Sequence, residues 1–314
     1  MSRFIEIVEV GARDGLQNED AALDVATKVE FIRRLEAAGA RRLEAVSFVN
    51  ERRVPQMAGA EAIMQALPHQ AGRTRIGLVL NERGWDRAVA AKVDEANVVV
   101  CASNEFGIRN QGAPTAGQME ALATIMARRK AEGGPPISVT FSVAFGCPFE
   151  GEVPLERVVA LAREAGELGV GEIALADTIG VADPWTVRQR IEAVRAVAPH
   201  ARLRLHFHDT RNTGLANAFA GVESGVAVLD ASCGGLGGCP FAPNATGNIA
   251  TEDLVYMLSR AGYETGYDLD ALIEAGRWIN ERIGRKMTSA LSRAGGFPTR
   301  SVGGLGGGAT RGAA

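Results

Sequence analysis

The chain has 314 residues, 46% of them hydrophobic, and its 34 basic and 37 acidic side chains leave a formal net charge of -3. A chain of this length buries most of its surface on folding without disulfides, and its balanced charge is unlike that of a nucleic-acid-binding protein. Neither a signal-peptide pattern nor an apolar run of membrane-spanning length is present. We therefore expect a cytoplasmic protein with no nucleic-acid or membrane partner; a homo-oligomer remains open. The four cysteines form no CxxC pair and predict no disulfide framework: Cys101, Cys147, Cys233 and Cys239.

Eight short apolar runs predict eight β-strands. Several runs are nearly continuous in Val, Ile and Leu, which is typical of parallel strands covered on both faces. The runs span 4–10, 41–48, 74–80, 96–102, 137–145, 172–177, 202–208 and 226–232. Amphipathic stretches separate most of them and predict helices, at 22–38, 115–132, 154–168, 184–197 and 212–224.

Eight strand–helix units in about 240 residues favour a (β/α)8 TIM barrel over an open doubly wound sheet. The first strand is followed by Gly-Ala-Arg-Asp-Gly at 11–15 and not by the GxGxxG loop that is frequent in open sheets. Two further helices, near 250–262 and 269–283, would follow the barrel. We expect a catalytic domain over 1–285 that includes these helices, and a C-terminal segment over 286–314 that ends in a mobile Gly-rich tail.

Two histidines stand at the end of the seventh predicted strand, in the run His206-Phe207-His208-Asp209-Thr210. Side chains at i and i+2 of a strand share a face, so both imidazoles would point into the barrel. Asp14 follows the first strand, which lies two strands away around a closed barrel. The three side chains predict a divalent-cation site with open positions for substrate oxygens, and Mg²⁺ or Mn²⁺ suits it best, although Zn²⁺ or Co²⁺ would also be accepted. Without a metal, the histidines would be a hydrogen-bonded polar pair and Asp14 a turn residue.

A Gly-rich loop, residues 234–248, follows the eighth strand and carries Cys239 after four glycines. Glycines let a backbone approach a ligand closely and let a loop move. A thiol is a suitable acid or base near neutral pH if nearby cations lower its pKa. We therefore expect a chemical role for Cys239; the alternative is inert packing.

The chain resembles the 3-hydroxy-3-methylglutaryl-CoA (HMG-CoA) lyase family of the DRE-TIM metallolyase superfamily. The Arg13-Asp14-Gly15-Leu16-Gln17 segment points to the superfamily, and the GLGGCP sequence of the loop is more specific to the lyases. The matching segments span most of the predicted barrel, at 8–19, 43–48, 54–57, 146–151, 177–180, 206–210 and 234–248.

The resemblance implies roles for individual residues. Asn248 would complete the metal ligands with Asp14, His206 and His208. Arg13 would polarise the thioester carbonyl, Cys239 would be the mobile acid or base, and His206 would also belong to the catalytic set. Asp177 and Glu44 would be assisting active-site carboxylates. Lys286 is a candidate contact for the CoA or the acyl carboxylate of the substrate, and otherwise a surface lysine.

The reaction that the family performs fits these groups. A retro-Claisen cleavage of HMG-CoA to acetyl-CoA and acetoacetate needs a cation for the tertiary hydroxyl, a positive charge for the thioester enolate and an acid for its carbon. Two segments depart from the family pattern, 103–110 and 211–214, and both lie at the predicted active-site end. A related lyase for a different 3-hydroxy-3-substituted glutaryl-CoA is therefore the first alternative. The others are an acetyl-CoA-dependent condensing synthase and a non-catalytic metal-binding barrel.

Overall fold

A computed structural model of the chain describes residues 4–238 and 247–298. Eight parallel strands form a closed barrel in which each strand pairs with the next along the chain and the eighth pairs with the first. The strands are β1 (Glu6–Glu9), β2 (Arg42–Ser47), β3 (Thr74–Val79), β4 (Glu95–Cys101), β5 (Ile137–Ser142), β6 (Glu172–Asp177), β7 (Arg202–Phe207) and β8 (Val228–Ala231).

Helices cover the outside of the barrel and follow its last strand. They are α1 (Val25–Ala37), α2 (Ala60–Ala66), α3 (Glu82–Ala90), α4 (Asn104–Gln111), α5 (Thr115–Glu132), α6 (Leu155–Glu167), α7 (Pro184–Val197), α8 (Gly214–Glu223), α9 (Thr251–Arg260), α10 (Leu269–Ile283) and α11 (Leu291–Ala294). The predicted TIM barrel with additional C-terminal helices is confirmed. The sequence patterns did not predict α2, α4, α11 or the two-residue strands Gly146–Cys147 and Gly151–Glu152, which form a small hairpin.

Local sequence explains where the clearest helices begin. The Asp24 carboxylate accepts a hydrogen bond from the Thr27 amide at the start of α1, at 2.7 Å. Asp183 does the same for the Trp185 and Thr186 amides at the start of α7, where Pro184 occupies the first helical position. Each cap satisfies backbone donors that would otherwise lack a partner.

The main apolar core lies between the strands and the helices, and a small separate cluster contains Val8, Val10, Ile76 and Val228. The rest of the barrel interior holds charged and polar side chains in two groups. One group lies at the N-terminal ends of the strands, around Arg42. The other lies at the C-terminal ends, where active sites occur in TIM barrels.

The C-terminal helices pack together with the chain that follows them. The Asp253 carboxylate in α9 accepts hydrogen bonds from Ser289 Oγ and from the amides of Ala290 and Leu291, at 2.8 to 3.1 Å. The division of the chain at residue 285 stays a prediction, and residues 299–314 lie outside the described part. No helix in the described residues is long and apolar enough to cross a membrane.

Candidate active site

Arg13 and Asp14 lie on a single π-helical turn, Gly11–Gly15, directly after β1. Such wide turns are rare in proteins, and those that do occur are often part of a functional site. Glycine is required at position 15 because a Cβ there would lie 2.9 Å from both Leu236 Cβ and Ser232 Oγ. The close approach of this turn to the chain after β8 sets where the Arg13 and Asp14 side chains emerge.

His206 and His208 come from the end of β7, and their rings lie 5.1 Å apart between centroids. Asp14 Oδ2 lies 3.9 Å from His206 Nε2 and 3.7 Å from His208 Nε2. The three candidate ligand atoms all lie within 4.8 Å of one another. Two ligands of one cation, each about 2.1 Å from it, are themselves about 3 to 4 Å apart. The geometry of the three side chains therefore fits a divalent cation.

Asn248 reaches this group because the chain after residue 246 crosses the ends of β7 and β8. It forms an isolated bridge with His208, and its Nδ2 donates to Asp14 Oδ2 at 2.7 Å and to the Leu236 carbonyl at 3.0 Å. Asn248 Oδ1 is buried without a hydrogen-bond partner in the described part of the chain. Asn248 thus lies beside Asp14 and His208, and its role as a ligand stays a prediction.

The charges around Asp14 explain how its carboxylate stays ionised. Burial raises the pKa of Asp14, but Arg13 and the two imidazoles outweigh burial and hold that pKa well below its usual range. Burial lowers the pKa of His206, but the hydrogen bond to Asp230 and the charge of Asp14 outweigh it and raise that pKa above its usual value. An anionic carboxylate beside two imidazoles is the donor set of a cation site.

Arg13 is held by two carboxylates and is 9% exposed. Its Nε and Nη2 donate to Glu44 Oε2 at 2.8 and 2.5 Å, and its Nη1 donates to Asp14 Oδ1 at 2.8 Å. Asn97 in β4 donates to the other oxygen of Glu44 at 2.7 Å. Glu44 thus contacts Arg13 and orients its guanidinium; sequence reasoning placed Glu44 in the site but missed Asn97.

Asp177 ends β6 and is fully buried. Its two carboxylate oxygens accept the amides of Val181 and Ala182, both at 2.9 Å, so the side chain shapes the loop that follows. Thr178, the next residue, lines the cavity described below. The expected role of Asp177 as an assisting carboxylate stays a prediction, and the observed contacts are those of a loop-shaping residue.

Two other candidates lie away from this centre or beyond the described chain. Cys239, the expected acid or base, lies outside the described residues. Lys286 is exposed and is not among the described residues that line the cavity. Its neighbour Arg285 donates to Glu19 and, at 3.3 Å, to the Gly237 carbonyl. Position 286 is therefore close in sequence to a contact with the Gly-rich loop.

A cavity of about 880 Å³ opens above the Asp14 and histidine group at the C-terminal ends of the strands. Its floor is polar and its wall beside β2, β3 and β4 is apolar. Its mouth carries exposed arginines from the segments after β2 and β3. The lining includes Arg13, Asp14, Glu44, Asn97, His206, His208, Phe48, Leu78, Leu80, Val99, Phe106, Arg52, Arg53 and Arg83.

The two segments that depart from the family pattern lie differently. Asn110 and Gln111, at the end of α4, line the cavity. Arg211 instead donates from Nη1 to the carbonyls of Ile179 and Gly180, both at 2.9 Å, and ties the loop after β7 to the loop after β6. The first segment is thus part of the cavity, whereas Arg211 is not among the described residues that line it.

Sequence reasoning missed Asp230, a buried carboxylate in β8 that lines the cavity. It lies 3.1 Å from His206 Nδ1. The signal was present, because a single Asp within the apolar run 226–232 is unusual for a strand that packs in a core. Asn97 gives the same signal within 96–102.

Comparison with known proteins identifies the family. The HMGL-like family model matches residues 4–279. The chain belongs to the HMGL-like family. The (R)-citramalyl-CoA lyase of Chloroflexus aurantiacus is 43% identical over 93% of this chain and 95% of that protein. The 3-hydroxy-3-isohexenylglutaryl-CoA/hydroxy-methylglutaryl-CoA lyase of Pseudomonas aeruginosa is 38% identical over 94% and 98%.

A solved structure of an HMGL-like protein agrees with the fold. An HMG-CoA lyase from Acinetobacter baumannii, in complex with coenzyme A and 3-methylmalate, has a TM-score of 0.89 at 37% identity, covering 94% of this chain and 96% of that one. The resemblance predicted from the sequence is confirmed, and so is the prediction of a carbon–carbon lyase at the level of the enzyme class.

Proposed function

We propose that the protein is a divalent-metal-dependent retro-Claisen lyase that cleaves HMG-CoA to acetyl-CoA and acetoacetate. The observation that carries the proposal is the convergence of Asp14, His206 and His208 beside Arg13 on the floor of one cavity. The family supports the reaction class. The geometry supports a substrate that contacts both groups from the cavity, because Arg13 and the three candidate ligands line the same cavity.

Asp14, His206 and His208 would hold the cation, with Asn248 as the further ligand expected from the resemblance. A bound Mg²⁺ or Mn²⁺ would lower the cost of removing the proton from the tertiary hydroxyl of the substrate. The Oδ1 of Asn248, buried and unpaired among the described residues, supports a site built for a ligand, because most buried polar atoms in proteins are hydrogen-bonded. Mg²⁺ and Mn²⁺ are preferred for an oxygen-rich, open site.

Arg13 would stabilise the negative charge that develops on the thioester oxygen. Its hydrogen bonds to Glu44 and Asp14 fix the guanidinium before the substrate binds. Fixed donors of this kind lower a barrier because they need no reorganisation as charge develops. After the carbon–carbon bond breaks, the enolate carbon must take up a proton, and we propose Cys239 as its donor.

The mouth of the cavity supports an acyl-CoA as the substrate. Arg52, Arg53 and Arg83 are exposed there, above a floor that contains the charged groups. Guanidinium groups bind phosphates well. A ligand with phosphates at one end and a thioester at the other would place its phosphates at these arginines and its acyl group at the floor.

The acyl group is the least determined part of the proposal. The second candidate substrate is (R)-citramalyl-CoA, favoured by the relative of that name at 43% identity. In citramalyl-CoA the free carboxylate is attached to the carbinol carbon itself, whereas in HMG-CoA it is one methylene further away. Asn110 and Gln111 line the cavity. Asn110 is the last residue of the segment 103–110, which departs from the family pattern, and Gln111 follows it. A glutaryl-CoA with a bulkier 3-substituent is the third candidate.

The test is to assay the chelated protein with and without Mn²⁺ on HMG-CoA, 3-hydroxy-3-isohexenylglutaryl-CoA and (R)-citramalyl-CoA. Acetyl-CoA is measured for all substrates, acetoacetate for the first and pyruvate for the last. We expect metal-dependent acetyl-CoA release with HMG-CoA as the substrate of highest kcat/KM. A higher kcat/KM on citramalyl-CoA would reassign the substrate and keep the mechanism.

Two variants test the candidate metal ligand Asp14 and the proposed proton donor Cys239. Asp14→Asn should lose metal-dependent activity, while Asp20→Asn, an exposed aspartate shortly after the same turn, should behave as the wild type. Cys239→Ser should reduce kcat strongly, because a serine hydroxyl is a much weaker acid than a thiol. Full activity of the wild type after thorough chelation would reject the metal mechanism.

A further inference from the structure

The two histidines of the candidate metal site differ in what holds their second ring nitrogen. His206 Nδ1 lies 3.1 Å from Asp230 Oδ2. His208 Nδ1 is buried and has no hydrogen-bond partner among the residues that the structure describes. Their Nε2 atoms face the same carboxylate, that of Asp14. The asymmetry means that one imidazole is fixed by the protein and the other is not.

Asp230 also forms an ion pair with a buried arginine. Its Oδ1 lies 3.4 Å from Nε of Arg204, a side chain with no exposed surface. Arg204 Nη2 donates to Thr140 Oγ1 at 3.1 Å, and Arg204 Nη1 lies 3.5 Å from Glu172 Oε1. Arg204 therefore lies between two carboxylates at ion-pair distance, and its positive charge favours the Asp230 rotamer in which Oδ1 faces Arg204 and Oδ2 faces His206.

A histidine that binds a cation through Nε2 must carry its proton on Nδ1. A carboxylate that accepts this proton fixes the tautomer and the orientation of the ring, and makes the imidazole a better ligand. Asp230 Oδ2 is at hydrogen-bond distance from Nδ1, on the opposite side of the ring from Asp14. Nothing in the candidate metal chemistry uses Asp230 directly.

We propose that Asp230 is a positioning residue for the metal site: it accepts the Nδ1 proton of His206 and directs Nε2 toward Asp14, with Arg204 as the counter-charge of the carboxylate. The expected consequence of this contact is tighter cation binding, and that consequence rests on the proposed metal-dependent function. The tautomer itself is a property of the metal-free protein. It can therefore be measured independently of catalysis.

The first measurement is the ¹⁵N–¹H correlation spectrum of the histidine rings in the metal-free wild type at alkaline pH. The chain has only four histidines, and His69 and His200 are exposed, so two buried rings remain to be assigned. We expect His206 to show the Nδ1–H tautomer. The Nε2–H tautomer in the wild type would overturn the proposal, whether or not any variant folds.

The second measurement is Mn²⁺ binding to Asp230→Asn, followed by calorimetry or by the electron paramagnetic resonance of free Mn²⁺. The asparagine amide can donate to Nδ1 and so favours the wrong tautomer. We expect a dissociation constant about 10- to 100-fold higher than that of the wild type, together with a shift of His206 toward Nε2–H. An Asp230→Asn protein with the wild-type Mn²⁺ dissociation constant and the wild-type His206 tautomer would overturn the proposal.

Glu172→Gln is the matched control. It removes one carboxylate from the same group around Arg204 but does not contact His206, so the tautomer and the Mn²⁺ affinity should stay within about threefold of the wild type, as for an indirect neighbour. A loss of Mn²⁺ affinity equal to that of Asp230→Asn would reject the specific role of Asp230. If the wild type shows Nδ1–H but binds no Mn²⁺, the positioning contact stands and the proposed metal-dependent function fails.

Discussion

Two clusters of buried charge occupy the interior of the same barrel, one at each end of the strands. At the N-terminal end, Arg42 lies between Glu95 and Glu172. At the C-terminal end, Arg13 lies between Glu44 and Asp14. Both clusters pair one guanidinium with two carboxylates, and in both the groups are at most 15% exposed. Their composition alone does not distinguish a structural cluster from a reactive one.

The difference lies in which polar atoms are left without partners. Every guanidinium nitrogen of Arg42 has a carboxylate oxygen within 3.0 Å. At the other end, Asn248 Oδ1 beside Asp14 is buried and unpaired within the described chain, and the group borders a cavity of about 880 Å³. A saturated cluster stabilises the fold, whereas an unsaturated one at a cavity is prepared for a ligand.

The largest expected effect comes from breaking the saturated cluster. Arg42→Leu would leave Glu95 and Glu172 buried without their shared partner, and removing one member of a buried ion pair costs about 3–5 kcal/mol. We expect the free energy of unfolding, measured by urea denaturation, to fall by this amount. The kcat of the folded fraction should be unchanged, because Arg42 lies at the end of the barrel opposite to the cavity.

Arg41→Leu is the control for that experiment. Arg41 is the neighbouring arginine and is exposed, so its replacement should change the free energy of unfolding by less than about 0.5 kcal/mol. A stable Arg42→Leu protein without activity would contradict the assignment of the Arg42 cluster to stability and of the Arg13 cluster to activity.

The second effect is the converse, a loss of activity without a loss of stability. Arg13→Lys keeps the positive charge but loses the planar fork that donates to Glu44 and Asp14. We expect kcat/KM to fall about 10²- to 10³-fold, the usual cost of one preorganised donor. Arg53→Lys, an exposed arginine at the mouth of the same cavity, should lose far less. Equal kcat/KM values for the two variants would refute the role of Arg13.

A further pair of buried carboxylates, Glu9 and Glu252, makes the stability of the protein depend on pH. Glu9 accepts the amides of Gly11 and Cys233, and Glu252 accepts the amide of Gly234, so both support the chain that enters the Gly-rich loop. Burial raises the pKa of Glu9 and of Glu252 to about 7, against 4.5 for a free side chain, although the hydrogen bonds oppose the shift.

The sign of the pH effect follows from these pKa values. The folded protein binds these protons more tightly than the unfolded chain, so the stabilisation is complete below pH 4.5 and is lost as the pH rises to about 7. Each pKa unit corresponds to about 1.4 kcal/mol per group. Glu9→Gln should flatten the dependence of unfolding free energy on pH in this window, and Glu120→Gln, an exposed site, should not. Identical slopes for wild type and Glu9→Gln would contradict this.

The sequence predicted the barrel because its strands are buried on both faces. The run 172–177 coincides with β6, and 202–208 extends one residue beyond β7. The proximity of Asp14 to the two histidines could be predicted because the order of strands around a closed barrel follows from their order in the sequence. That prediction required no knowledge of side-chain positions.

The partners of these residues could not be predicted in the same way. Asp230 reaches His206 because the two are register neighbours in β8 and β7, and Asn97 reaches Glu44 across β3. Contacts of this kind depend on the stagger of the strands and on rotamers, which a single sequence does not reveal. The expected assisting role of Asp177 came from the resemblance alone, and the loop contacts of its oxygens were not foreseeable from the motif.

The smallest expected effect concerns Lys286, which is exposed and outside the described lining of the cavity. If it contacts a phosphate or carboxylate of the substrate, Lys286→Ala should raise KM and the inhibition constant of free CoA about two- to fivefold, the value of an exposed ion pair of up to about 1 kcal/mol. The kcat should not change, and added salt should reduce the difference between variant and wild type because it screens exposed charges. Lys130→Ala is the matched control: this exposed lysine lies near the end of α5, at the barrel end opposite to the cavity. Equal KM values for the two variants would make Lys286 a surface residue and leave the arginines at the cavity mouth to bind the phosphates.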